Sequence, residues 1–325
     1  MLMPTLLLAA LCALATALSA AEFPAAEIRN RAITAKIYLP DPERGYYRGT
    51  RFDWSGNTYS LRTARHEYFG QWFPRHDPKL HDAIMGPVEE FRFAEGGLGY
   101  EEAKPGETFV RIGVGVCRRP DDKPYQGFHT YEITDPGQWT VKSGRGRIRF
   151  THTLSAPNGY AYRYTKVMRL DRDQPRLVIE HELRNTGRRR IQAQQYNHNF
   201  FVIDGEPVGP DTWVKFPFEL RPVRPFTNDL AVTRGGEIHY QRALQDGESV
   251  FGEFSGQGPS AADYDIRVEN RKARAGVRIT GDRPLAKVVY WSIRSVFSPE
   301  PYIDVEAEPG KSARWTYTYE FYDLP

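Results

Sequence analysis

The sequence predicts a mainly β protein, with many strands in a large antiparallel β-sandwich or closed sheet and few short helices. Segments in which apolar and polar residues alternate are common, whereas patterns with a helical period are scarce. In the clearest of these segments four aromatic residues share one face: Trp315, Tyr317, Tyr319 and Phe321. The chain also contains 24 Pro and 28 Gly, and turn signals separate the alternating segments. Many strands at this spacing are typical of a sandwich or of a large closed sheet.

The other strands are expected where the same alternation recurs between turn signals. Alternating segments cover residues 147–154, 160–170, 177–183 and 285–293, and turn signals lie at 135–137, 157–159, 171–175 and 185–187. Residues 77–84 are compatible with a short helix, and the Pro-rich stretch 207–225 with a long structured loop. No internal repeat, linker or charge block divides the chain, so we expect residues 22–325 to form one domain.

The N-terminus has the pattern of a cleaved signal peptide, which we assign to residues 1–21. This segment carries no charged side chain, and an apolar run over residues 6–18 precedes the small residues Ser19, Ala20 and Ala21. The run is shorter than the ~20 residues that a membrane-spanning helix requires. We therefore predict export to the periplasm or the exterior, with no membrane span in the mature chain.

The composition excludes several classes of function. The net charge is only +3, with acidic and basic residues mixed throughout, which gives no electrostatic case for nucleic-acid binding. Cys12 lies in the leader, so Cys117 remains alone, and no intramolecular disulfide is expected. A single Cys at the end of a strand-like segment is more often a small buried apolar residue than a nucleophile.

Several motifs of cofactor and nucleophile chemistry are absent from the sequence. Gly113 and Gly115 lack the third Gly of a phosphate-binding loop, and no Gly-x-Ser-x-Gly segment occurs. His76 and His81 are close in sequence, but they belong to a Pro-containing loop and have no acidic residue at metal-ligand spacing. We therefore expect neither a cofactor nor a metal ion.

The most informative segment of the chain runs from residue 180 to residue 204. A strand ends at Asn185, the turn Asn185-Thr186-Gly187 follows, and a second strand leads into Asn197-His198-Asn199 and two phenylalanines. This order resembles the galactose mutarotase (aldose 1-epimerase) superfamily, whose fold is a large β-sandwich. The resemblance implies that His198 is a general acid acting on a sugar ring oxygen and that Asn197 lies beside it in the substrate pocket.

A second part of the resemblance lies near the C-terminus. In the superfamily, a strand that carries a glutamate base precedes a Pro-Gly turn and a strand containing Tyr-x-Phe. Glu306 matches this glutamate best because it follows Tyr302-Ile303-x-Val305, and Glu300 is the alternative. The usual long insertion between the glutamate and the turn is missing here, so the resemblance leaves both candidates open.

The remaining site predictions come from the N-terminal third of the chain. The superfamily places a substrate-positioning His in a Gly-containing loop, which His81 matches, and a sugar-binding Arg before that loop, which Arg65 matches. Glu89 and Glu90 are adjacent, so in a strand they point to opposite faces, and we take Glu90 as the one facing the pocket. Trp72 lies in a loop-like context suited to stacking on a sugar.

Three functions fit these residues. The first is an aldose 1-epimerase-like isomerase, because anomer interconversion needs a base for the anomeric hydroxyl and an acid for the ring oxygen. The second is a non-catalytic protein that binds a sugar or an oligosaccharide. The third is a polysaccharide lyase, for which Lys166 and Arg169 supply cations, or a glycoside hydrolase, which needs two carboxylates about 5 to 10 Å apart. The sequence leaves the oligomeric state open.

Overall fold

The computed structural model describes residues 23–325. The predicted signal peptide and Cys12 lie outside the described residues. Within this part of the chain the structure consists of β-strands and a single-turn 3₁₀ helix, Ala261–Asp263. The prediction of a mainly β protein is therefore confirmed.

The first eleven strands lie between residues 25 and 185. They are β1 (Ala25–Arg29), β2 (Thr34–Tyr38), β3 (Thr58–Arg62), β4 (Val88–Arg92), β5 (Thr108–Arg111), β6 (Gly115–Arg118), β7 (Ile133–Asp135), β8 (Gln138–Gly144), β9 (Arg147–Ser155), β10 (Ala161–Leu170) and β11 (Arg176–Asn185).

The other eleven strands complete the chain. They are β12 (Ile191–His198), β13 (Thr212–Lys215), β14 (Arg221–Arg224), β15 (Ala231–Arg234), β16 (Glu237–Tyr240), β17 (Ser249–Ser255), β18 (Asp265–Asn270), β19 (Ala275–Gly281), β20 (Lys287–Ile293), β21 (Val296–Ala307) and β22 (Ser312–Asp323).

Two large antiparallel sheets form the body of the fold. The ten-stranded sheet has the order β15-β16-β13-β18-β19-β22-β11-β10-β9-β8, and the six-stranded sheet has the order β14-β17-β20-β21-β12-β4. Two three-stranded sheets, β1-β2-β3 and β5-β6-β7, come from residues 25–135. The predicted sandwich is thus present, with additional small sheets.

The core lies between the facing sides of the two large sheets. The four aromatic residues predicted to share one face of β22 are all at most 1% exposed: Trp315, Tyr317, Tyr319 and Phe321. The hydroxyl of Tyr317 donates to Gln195 and that of Tyr319 donates to Asn199, so both side chains contact β12 or the residue after it in the opposite sheet. Burial of this apolar and aromatic surface is the main stabilising contribution to the sandwich.

Two local predictions were wrong. Residues 77–84 form successive turns rather than a short helix, and the Asp77 carboxylate accepts a hydrogen bond from the Lys79 amide, as in an Asx turn. The Pro-rich stretch 207–225 contains strands β13 and β14 rather than only loop. Pro222 is tolerated because β14 is the edge strand of its sheet, where a missing N–H donor disrupts no central ladder.

Two other features concern membranes and cysteine chemistry. Among residues 23–325, no helix has the length and apolar character needed to cross a membrane. Cys117 is fully buried on β6, and burial raises the pKa of its thiol to about 12. The thiol is therefore protonated near neutral pH and packs as a small apolar side chain, as expected.

Candidate functional site

The outer face of the six-stranded sheet is lined by polar and aromatic side chains from adjacent strands. Antiparallel pairing places Tyr196 of β12 directly opposite Tyr302 of β21. Continuing this register by two residues places His198 opposite Glu300, on the same face as the tyrosines because side chains alternate along a strand. Strand pairing therefore brings together two residues that are 102 positions apart in sequence.

His198 and Glu300 are in direct contact. The distance from His198 Nε2 to Glu300 Oε1 is 3.1 Å, and the two side chains are 4% and 5% exposed. His198 Nδ1 has no hydrogen-bond partner within the described residues. The imidazole ring stacks on the Phe200 ring with 3.7 Å between ring centroids, and Phe200 has a left-handed backbone conformation with φ of 43°. The turn after β12 thus fixes the plane of the imidazole.

Burial controls the protonation of this pair. It raises the pKa of Glu300 to about 8, although the guanidinium of Arg51 opposes this shift. Burial, followed by the positive charge of Arg51, holds the pKa of His198 well below its usual range. Near neutral pH both groups are therefore uncharged, and the pair holds one proton between the carboxyl group and Nε2.

A second buried carboxylate, Glu90 of β4, lies beneath Arg51. Arg51 Nε donates to Glu90 Oε2 at 2.9 Å, the Tyr196 hydroxyl donates to the same oxygen at 2.5 Å, and Arg92 donates to Oε1 at 3.1 Å. Burial raises the pKa of Glu90, but the positive charges of Arg51, Arg92 and Arg111 outweigh it and hold the pKa at about 2. Glu90 is consequently a permanent anion that orients Arg51 rather than a group that exchanges protons.

These residues border a cleft of about 580 Å³, which we call the proximal cleft. It is bounded by His198, Glu300, Arg51 and several aromatic side chains: Trp72, Phe128, Phe200, Phe251 and Trp291. Phe128 is 65% exposed, and its ring lies 4.7 Å from that of His81. A small cleft with aromatic walls and a few convergent polar groups is typical of a small-molecule site.

Comparison with solved structures identifies the fold. An aldose epimerase homologue from C. elegans superposes with a TM-score of 0.55 at 13% identity, covering 93% of this chain and 99% of the other. Galactose mutarotase-like proteins from Lactobacillus casei and Clostridium acetobutylicum give TM-scores of 0.52 and 0.54. Sequence identity with this chain is 12% for the L. casei protein and 11% for the C. acetobutylicum protein. Both alignments cover 92% of this chain, and they cover 100% and 95% of the respective relatives. The chain has the galactose mutarotase-like fold. No family model matches the sequence, and no curated protein matches it.

Three further residues predicted for the site lie at the proximal cleft of this galactose mutarotase-like fold, together with His198 and Glu300. His81 and Trp72 line the cleft, and Glu90 supports it from below. His81 Nε2 lies 3.4 Å from an Asp82 carboxylate oxygen, while burial lowers the pKa of His81. The Trp72 indole donates to the Ile84 carbonyl at 2.9 Å and stacks on Phe200.

Three predicted site residues lie elsewhere in the mutarotase-like fold. Asn197 points into the sandwich, where its amide donates to the Tyr319 hydroxyl at 2.6 Å, because it alternates with His198 along β12. Arg65 is exposed and forms an ion pair with Asp323 at 3.2 Å. Glu306 shares a face with Glu300 but lies six residues further along β21, about 20 Å away, and it pairs with Arg190.

The sequence analysis missed Arg51, Tyr196 and Tyr302. The two tyrosines stand two positions from His198 and from Glu300, so the period-2 alternation already placed them on the same face. Arg51 comes from the connection between β2 and β3, and no local pattern there marks it as part of a site. No group of three or more His, Cys, Asp or Glu side chains in the described part of the chain is placed to hold a metal ion.

Proposed function

We propose that this protein is an exported sugar-acting isomerase that interconverts the anomers of an aldose. The observation that carries the proposal is the direct contact between His198 and Glu300 at the proximal cleft. The mutarotase-like fold supports the same class of substrate, although fold alone does not give function.

Anomer interconversion requires two proton transfers. A proton leaves the anomeric hydroxyl, the bond between the anomeric carbon and the ring oxygen breaks, and a proton reaches that oxygen to give the open-chain aldehyde. Rotation and reclosure from the other face reverse both transfers. Because both oxygens are bonded to one carbon, the acid and the base must lie close together, as His198 and Glu300 do.

The shared proton assigns the starting roles. With its raised pKa, Glu300 is the protonated partner near neutral pH and donates to the ring oxygen, while the neutral imidazole of His198 accepts the anomeric proton. These roles are the reverse of those that the superfamily resemblance implies. Reclosure returns both protons, so the number of protons on the pair is unchanged. Arg51 stabilises the Glu300 carboxylate formed during ring opening.

The structure gives less support to the lyase and hydrolase alternatives. Lys166 is buried inside the sandwich and pairs with Asp53 and Glu89, and Arg169 pairs with Glu180. The second carboxylate near Glu300 is Glu90, which is held as an anion by three arginines. Non-catalytic sugar binding is the second candidate, because the aromatic walls of the proximal cleft suit stacking whether or not the pair transfers protons.

A polarimetric mutarotation assay against a panel of aldoses tests the proposal. We expect the variants His198→Ala and Glu300→Gln each to lower the catalysed rate by about 10²- to 10⁴-fold. His239→Ala, which removes a partly exposed His paired with Glu237, is the matched control and leaves the rate unchanged. Equal rates for wild type and H198A contradict the mechanism, and sugar binding without any catalysed mutarotation supports the binding protein instead.

Export is part of the same proposal. It rests on the leader-like pattern of residues 1–21. N-terminal sequencing of the protein secreted from cells expressing the full chain is expected to begin at Glu22. Recovery of the uncleaved chain from the cell interior contradicts it.

A further inference from the structure

A second cavity lies on the same face of the six-stranded sheet as the proximal cleft. Its volume is about 640 Å³, and we call it the distal groove. Gln192 and Gln194 of β12 and Asp304 and Glu306 of β21 form its base. Tyr160 and the segment 93–99 form its walls. The proposed anomer chemistry uses none of these residues.

The distal groove is continuous with the proximal cleft. Arg92, Lys287 and Tyr302 line both cavities. The ammonium of Lys287 lies 4.6 Å from the centre of the Tyr302 ring, at the junction of the two. From the pair His198–Glu300 to the pair Gln192–Glu306 the strands run six residues, or about 20 Å. This length exceeds what one pyranose ring fills.

The chemistry of the distal groove points to a neutral ligand rich in hydroxyl groups. Its charged lining is balanced, with three basic and three acidic side chains: Arg92, Arg190, Lys287, Glu95, Asp304 and Glu306. Gln194 Nε2 donates to Asp304 at 3.1 Å, which leaves further donor and acceptor sites on both groups. The Gln192 side chain is exposed, so its amide group is accessible to a ligand. A balanced set of donors and acceptors suits hydroxyl groups better than a polyanion or a polycation.

We propose that the substrate is a neutral oligosaccharide whose reducing-end sugar lies at His198 and Glu300. The distal groove binds the sugar units that are linked to this reducing-end sugar. This inference rests on the proposed isomerase function and names its substrate class. The sugar chain runs along β12 and β21 over Tyr302, from the proximal cleft towards Glu306. A substrate longer than a monosaccharide accounts for two adjoining cavities on one sheet face.

The test compares sugars of different length on two variants. Gln192→Trp fills the distal groove about 20 Å from the reacting pair, and Gln138→Trp makes the same change at an exposed glutamine of β8 in the other large sheet. The substrates are reducing tetrasaccharides of glucose, xylose and mannose together with the matching monosaccharides. For wild type we expect KM for at least one tetrasaccharide to be tenfold or more below that of its monosaccharide. We expect Q192W to raise that KM at least ten times more than it raises the monosaccharide KM, and Q138W to change neither.

Two outcomes overturn the inference. The first is a wild type that turns over monosaccharides but gains no affinity with chain length. The second is an equal effect of Q192W and Q138W on the tetrasaccharides. If no sugar is isomerised at all, the proposed function fails, and the groove is judged by calorimetric titration with the same tetrasaccharides. Binding that Q192W weakens supports the groove, and absence of binding, or binding of tetragalacturonate alone, refutes it.

Discussion

Two neighbouring glutamates of β4, Glu89 and Glu90, face opposite sides of the six-stranded sheet and belong to different charge clusters. Glu89 points into the sandwich, where it pairs with Lys166 and lies 3.1 Å from His181 Nε2. Lys166 also lies 2.6 Å from Asp53. Glu90 points to the proximal cleft, beneath Arg51 and two further arginines. Each glutamate is at most 1% exposed.

The two clusters differ in how their buried charges are balanced. In the inner cluster Asp53 and Glu89 share one cation, Lys166, and the Asp53 amide donates to the Glu89 carbonyl at 2.9 Å. That cluster therefore anchors the segment that carries Arg51 two residues earlier. In the cleft, three arginines hold Glu90 as an anion, whereas at Glu300 the effect of burial outweighs the positive charge of Arg51. Glu300 in the cleft, with its pKa raised to about 8, thus changes its protonation close to neutral pH.

The largest expected effect on stability is that of Lys166→Met. The variant leaves Glu89 and Asp53 buried without their cation, so we expect it to lower the free energy of unfolding by about 3–5 kcal/mol in urea denaturation. Lys215→Met, which removes an exposed partner of Glu237, is the matched control and lowers it by less than about 1 kcal/mol. Similar losses for both variants would show that the inner cluster contributes no more than a surface pair.

Gly86→Ala tests how the loop before β4 supports the cleft. A Cβ atom at Gly86 meets the Asn199 carbonyl oxygen at 2.1 Å and that of His198 at 3.0 Å. The backbone that holds His198 must therefore shift, and we expect a loss of about 1–3 kcal/mol in unfolding free energy together with reduced mutarotation. Gly70→Ala, where no atom lies within 4 Å of the added Cβ, is the control. Equal stability of the two variants rules out this packing role.

The raised pKa of Glu300 predicts a pH-dependent stability. Between pH 6.5 and about 8 the folded protein holds a proton on Glu300 that the unfolded chain has released, so wild type loses stability as pH rises. The neutral His198 adds a smaller opposing gain of about 0.4 kcal/mol, because an unfolded His is half protonated at pH 6.5, and Glu300→Gln keeps His198 and shares this gain. We expect wild type to lose about 2 kcal/mol more than Glu300→Gln over this range in urea denaturation. Parallel stability curves for the two proteins would mean that Glu300 is ionised throughout.

The smallest expected effect is that of Glu306→Gln. Glu306 and its partner Arg190 are each nearly half exposed, so the variant changes the free energy of unfolding by less than about 1 kcal/mol. We expect E306Q to retain at least a hundredfold more mutarotation activity than E300Q, since Glu306 lies about 20 Å from His198. Comparable losses in the two variants would show that Glu306 is as important for the reaction as Glu300, which contradicts the assignment of Glu300.

The sequence predicted the sheets well because alternation is a local signal. The aromatic face of β22 and the strands around residues 147–183 are present, since each pattern depends on residues two positions apart. The partner of His198 was not decided, because Glu300 and Glu306 share a face of β21 and only strand register selects one of them. Asn197 was placed in the pocket by resemblance, although its alternation with His198 directs it to the core.

Strand alternation also has a consequence for how this protein can change over evolutionary time. On β12 and β21 the residues that hold the sandwich together, such as Asn197 and Ile303, are interleaved with those that face the cleft, such as Tyr196 and Tyr302. Substitutions on the cleft side leave the facing side of the ten-stranded sheet untouched. Changes in ligand preference are therefore accessible by single substitutions that preserve the fold.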